Sequence, residues 1–97
     1  MKREDFMFSI GYSGVSAIVD RQARNRYGRM TSEELAEKGL FKAAFCGALY
    51  NDDTDEMEKV VEIYNNMSGA DISSPVYMKR LLGVFSVPEE ITKVTYI

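Results

Sequence analysis

The chain contains no histidine. That absence removes Ser-His-Asp and Cys-His nucleophilic catalysis, and with them the commonest general base near neutral pH. There is one cysteine, Cys46. It permits no intramolecular disulfide and, without imidazole, no zinc site of cysteine and histidine ligands. A lone thiol fits a reducing cytoplasm. Cys46 also lies in the most apolar stretch of the chain, where a thiol behaves as a small hydrophobe with a raised pKa rather than as a nucleophile. No apolar run is long enough to span a membrane. The opening "MKR" and the apolar residues from Phe6 to Val19 imitate a signal peptide. Glu4 and Asp5 cancel its positive end, however, and Ser9, Gly11, Ser13 and Gly14 interrupt the run.

Other chemistries are missing at the level of motif. There is no Walker loop and no dinucleotide fingerprint. "GYSGV" at 11–15 has Val15 where a nucleophile elbow needs glycine. In "DDTDEME", Met57 stands where a calcium loop needs glycine. Those acids suit the first turn of a helix instead, each contributing roughly 0.3–1 kcal/mol against the helix dipole. A glycosidase needs only two carboxylates, but nothing in the sequence sets two acids across a cleft. The expectation is a protein that is not an enzyme and takes no cofactor and no metal.

What is present describes one small globular domain of 97 residues, 45% hydrophobic and 11% aromatic. "FMFSIGY" alternates, with Phe6, Phe8, Ile10 and Tyr12 on one face, and "VSAIV" at 15–19 follows the turn pair Ser13–Gly14. Together they predict an N-terminal β-hairpin. Asp20 can cap a short helix that stops at Gly28. Thr31 and Glu34 have the spacing of a capping box, and Met30 with Leu35 that of a hydrophobic staple. From Leu40 to Leu49 apolar or small residues surround the helix axis, broken mainly by Lys42, and Gly39 offers a point where this helix splits from the one before. Asp53 with Glu56, the stripe Met57, Val60, Val61, Tyr64 and Met67, and the stop at Gly69 mark the clearest helix. Ser74, Pro75 and Gly83 bound another. The tail "ITKVTYI" is β-prone. The fold expected is α+β: a hairpin packed on three or four helices, with a possible C-terminal strand.

Two features carry the functional expectation. The first is "DRQARNRYGRM", in which Arg21, Arg24, Arg26 and Arg29 fall within nine residues of a chain with net charge −3. Without these four, eight basic residues face fifteen acids, so only a local patch can attract a polyanion. Arginine forks suit phosphate, and Tyr27 offers a stacking face. "RQARNR" resembles, over six residues, the arginine-rich motif of the lentiviral Rev proteins, which implies a basic helix entering an RNA groove. That motif continues into consecutive arginines, where this chain has Tyr27 and Gly28. The simpler expectation is that the arginines pair with the chain's own acids, those of Asp52–Glu58 or Glu33–Glu37, and lay their methylenes on the core.

The second feature is the small-residue row Gly39, Ala43 and Gly47, with Phe41, Phe45 and Leu49 in a parallel row. A helix apolar all round is either central or at an interface. These six residues are therefore the candidate interface of a homo-oligomer or of a protein partner. The leading expectation is a small cytoplasmic, non-catalytic interaction or regulatory module that self-associates, as a homodimer, through this apolar central helix. The alternative is a nucleic-acid-binding accessory protein using Arg21, Arg24, Arg26, Tyr27 and Arg29. No membrane is involved.

Overall fold

In the computed structural model, which describes residues 1–97, the chain opens with a short helix, α1 (Arg3–Met7), and not with a strand. The alternation of Phe6, Phe8, Ile10 and Tyr12 misleads here for a physical reason. Glu4 and Asp5 lie in the first helical turn, where the dipole favours acids. Phe6, Met7 and Phe8 are all buried, whereas a half-buried strand would expose Met7. The strand β1 (Ser9–Ser13) begins only after them, and pairs with β2 (Ser16–Val19). The hairpin turn holds Gly14 at φ +58, and Val15 after it is not left-handed. That is the type II′ pattern, whose twist matches that of the paired strands. The ladder slips between Ser9 and Gly11, which leaves Ile10 outside it.

Helices α2 (Arg21–Tyr27), α3 (Ser32–Glu37), α4 (Phe41–Tyr50), α5 (Thr54–Ser68) and α6 (Pro75–Leu82) follow, then β3 (Lys93–Tyr96). Most of their ends are set by local chemistry. Asp20 accepts a hydrogen bond from the Ala23 amide at 3.1 Å, and Thr31 and Glu34 form the full reciprocal capping box. Asp53 caps α5, but the Glu56 carboxylate turns to the Asn51 amide at 3.2 Å, so the second box is half made. Gly39, at φ +82, separates α3 from α4, while Gly69 and Gly83 end α5 and α6 in the left-handed conformation. Ser74 precedes α6 without making a side-chain cap bond.

The fold is α+β, with sheet order β1-β2-β3, β1 antiparallel and β3 parallel to β2. Five helices separate the parallel pair, so the two ends of the chain close on each other. The Ile97 amide donates to the Val19 carbonyl at 3.1 Å, and the Arg21 amide donates to the Ile97 carbonyl at 3.3 Å. At the centre lies α4, with α1, α3 and α5 packed around it. Ala43 to Ala48 are buried without a break. The all-round apolar character of this helix is thus matched by three neighbours of the same chain. No helix is long and apolar enough to cross a membrane.

Candidate functional site

The arginines of α2 have unlike fates. Arg24 turns inward: its Nε donates to Asp5 Oδ1 at 2.6 Å, its Nη2 to Glu4 Oε1 at 3.4 Å and its Nη1 to Asn25 Oδ1 at 3.2 Å. Asp5 is only 3% exposed, and the Tyr96 hydroxyl donates to the same Oδ1 at 2.9 Å. One buried carboxylate therefore joins α1, α2 and β3. The Asp5 hydrogen bond raises the pKa of Arg24 further, so the guanidinium stays charged. The bond to Asp5 raises the Tyr96 phenol too, with burial adding to the effect. Arg24 also lies 5.3 Å from the centroid of the Tyr96 ring. Its partners are the acids of α1, and not those of Asp52–Glu58 or Glu33–Glu37.

The other three make no ion pair; the chain's ion pairs are Arg24 with Glu4, Arg24 with Asp5, and Lys59 with Glu62. Arg21 sits 6.0 Å from the Tyr96 ring, Arg26 lies 5.3 Å from the Tyr27 ring, and Arg29 is exposed. Tyr27 is half-buried, with Phe8 6.3 Å away and Arg26 against its ring, which leaves it a poor platform for a base. A polar cleft of about 550 Å³ beside α2 gathers Lys2, Glu4, Arg24, Asn25, Gly28 and Arg29, adding Lys2 to the basic set.

The small-residue row does not survive as a row. Gly39 lies outside α4, exposed in the bend before it. Phe45 is fully buried and Ala43 7% exposed, while Phe41 and Leu49 are half-buried. The bare flank of Gly47 admits α1 and not another subunit. A Cβ there would lie 2.6 Å from Arg3 Nη2 and 2.9 Å from both Met7 Sδ and Ser32 Oγ. Phe45 and Gly47 are thus closed to a second chain, whereas Gly39 and Phe41 reach the surface in a concavity whose floor includes buried Ala43.

That concavity is the most apolar surface feature near the hairpin. One trough, of about 490 Å³, runs between Met7, Phe8, Ser9, Ile10 and Asp20 on one side and Gly39–Ala43 on the other. A second, of about 340 Å³, lies between Phe6, Ser9–Tyr12, Lys42 and Cys46 and the segment 83–88. They meet at Ser9, Ile10 and Lys42. Ile10 and Phe85 are each 61% exposed on the rim. Burial raises the Tyr12 phenol above its ordinary value and pushes the Cys46 thiol up to about 11. Both stay protonated near neutral pH, so neither supplies a nucleophile there. Sequence pattern misses this surface because it sets Ile10 and Tyr12 on one face with Phe6 and Phe8, which are buried. The one local signal is Lys42, a lone charge in an otherwise apolar helix. The chain matches no protein-family model, no curated protein and no solved structure.

Proposed function

We propose that the chain is a small non-catalytic interaction module of the cytoplasm, holding a protein partner at the apolar troughs beside β1. The observation that carries this reading is the pair of joined concavities, the first mainly apolar and the second mixed, rimmed by Ile10, Tyr12 and Phe85, of which the first and last are 61% exposed. On a chain of this size, clustered exposed apolar side chains around a concavity mark an interaction site more often than isolated ones do. The surface differs from the core-facing side of α4, although Gly39, Phe41 and Ala43 contribute to it.

The test is site-directed photocrosslinking in the cells that express the protein. A photoreactive residue at Phe85 should give a discrete adduct, and one at exposed Glu62 should not. An adduct of doubled mass identifies a second copy as the partner. No adduct, or the same adducts from both positions, overturns the reading.

A second reading is contact with a polyanion, favoured by the absence of any ion pair at Lys2, Arg21, Arg26 and Arg29. Four phosphate contacts give a salt slope of about −3 to −3.6, that of a weak and mainly non-specific complex. Oligonucleotide titrations at several salt concentrations test it. A slope indifferent to Arg26→Gln and Arg29→Gln rules it out.

A further inference from the structure

We propose that the troughs beside β1 take an extended segment of a partner protein carrying one acidic residue among apolar ones, with the acid meeting Lys42. This inference rests on the interaction reading above and names the partner's chemistry. The geometry of β1 comes first. Ser9, Ile10, Gly11 and Tyr12 all line the second trough. No residue of β2 lines either trough, which places both toward the side of β1 away from β2. β1 pairs with β2 alone, so its other edge has no strand. A free edge is a template for an added strand. The middle of β1 is bare, with nothing within 4 Å of a Cβ built at Gly11.

The side walls supply the second argument. Phe6, Val84 and Phe85 enclose one trough, and Phe8, Leu40 and Phe41 the other, which gives apolar seats on both sides of Ile10. Charge supplies the third. Lys42 stands where the troughs join, is exposed and makes no ion pair. No acid lines the second trough, and Asp20 in the first already accepts the Ala23 amide. A single ammonium between apolar walls selects a carboxylate with apolar neighbours and disfavours a basic residue at the same point.

The experiment is selection of displayed random peptides of about twelve residues on the intact chain. At about 3.3 Å per residue, such peptides are longer than the molecule's 36 Å axis. Selected peptides should share Asp or Glu flanked by apolar residues. Their binding should slow amide exchange along Ser9–Ser13. Affinity should fall about tenfold or more in Ile10→Ser/Phe85→Ser and about fivefold in Lys42→Gln at low salt. The Lys42→Gln effect should vanish when the peptide's acid is replaced by its amide. All three positions are exposed, and circular dichroism checks that the variants fold. Peptides without an acid, indifferent to Lys42→Gln but lost in the double variant, overturn this inference and leave the interaction reading standing. Peptides that bind as helices, with no protection along β1, overturn the edge-strand geometry. No peptide sensitive to the double variant overturns both readings.

Discussion

Replacing Arg21, Arg24, Arg26 and Arg29 by glutamine, one at a time, separates one structural guanidinium from three solvated ones. Arg24→Gln leaves the Asp5 carboxylate, itself 3% exposed, with the Tyr96 hydroxyl as its only remaining side-chain donor. Removing one partner of a fully buried ion pair costs about 3–5 kcal/mol. The Arg24 side chain is 23% exposed, so water can enter the space it leaves. The cost therefore falls to about 2–3 kcal/mol, the upper part of the range of hydrogen bonds to charged groups. At roughly 4–8 °C per kcal/mol for a chain of this size, the melting temperature drops by about 10–20 °C. Arg21 and Arg26 have ring contacts only, worth about 0.5–1 kcal/mol at exposed sites. Arg29 has neither a ring contact nor an ion pair and should change stability by less than about 0.5 kcal/mol. Urea unfolding followed by far-ultraviolet circular dichroism measures all four, provided the m-value stays constant. A double-mutant cycle with Asp5→Asn should show a coupling of about 1 kcal/mol or more. Equal losses for Arg24→Gln and Arg29→Gln, or a cycle with no coupling, would refute the assignment.

Two glycines admit α1 against its neighbours, and their substitution by alanine should be ordered. A Cβ at Gly28 would collide with the Arg24 carbonyl oxygen and lie 2.9 Å from Glu4 Cβ, so backbone must move. At Gly47 it meets mainly the movable ends of Arg3 and Met7. Both should fall within the roughly 1–3 kcal/mol of overpacking, with Gly28→Ala the larger loss in urea unfolding; the reverse order would contradict this packing. Cys46 makes stability fall in alkali. Its folded pKa is raised from 9.0 to about 11, so its contribution is whole below pH 9 and lost as pH rises from 9 to 11. At about 1.36 kcal/mol per unit, roughly 2 kcal/mol should be gone by pH 10.5. The stability gap between wild type and Cys46→Ala should narrow by that amount. A constant gap would show that the thiol is not held protonated by burial. Thr31→Ala, which opens a complete capping box, should cost about 1 kcal/mol in thermal unfolding, and Ser74→Ala, which removes no cap bond, close to nothing. Equal effects would discount the capping geometry.

Legibility in this chain follows sequence distance. Asp20, Thr31 with Glu34, Asp53, and the stops at Gly39, Gly69 and Gly83 could all be read from neighbouring residues, because each cap is a bond between residues a few positions apart. The tail strand was readable from its β-branched composition, though not its parallel pairing with β2. The anchoring of the arginines was not readable. Arg24 lies 19 residues from Asp5, and Tyr96 lies 91 from it. No periodicity encodes such pairs. The sequence does suggest that the arginines meet acids, but it points to the dense clusters on α3 and α5. The acids used are two inconspicuous ones in α1, chosen by topology because α1 lies between α2 and the end of the chain.

The misread N-terminus and the candidate site have one cause. Five residues are too few to hold a helix in water, so α1 owes its existence to what it touches. Arg3 donates to the Met30 carbonyl at 3.2 Å, Asp5 binds Arg24 and Tyr96, and Met7 lies against Gly47. Those contacts draw Phe6, Met7 and Phe8 into the core together. The strand then starts three residues later than alternation predicts. Had Phe6–Tyr12 formed one strand with its aromatic face inward, Ile10 and Tyr12 would have been core residues. Instead the chain leaves α1 at Phe8, the ladder slips at Ile10, and the apolar side chains of β1 face outward beside an open edge. The apolar surface near Lys42 is therefore what remains when a hydrophobic alternation is divided between a helix that fills the core and a strand that does not.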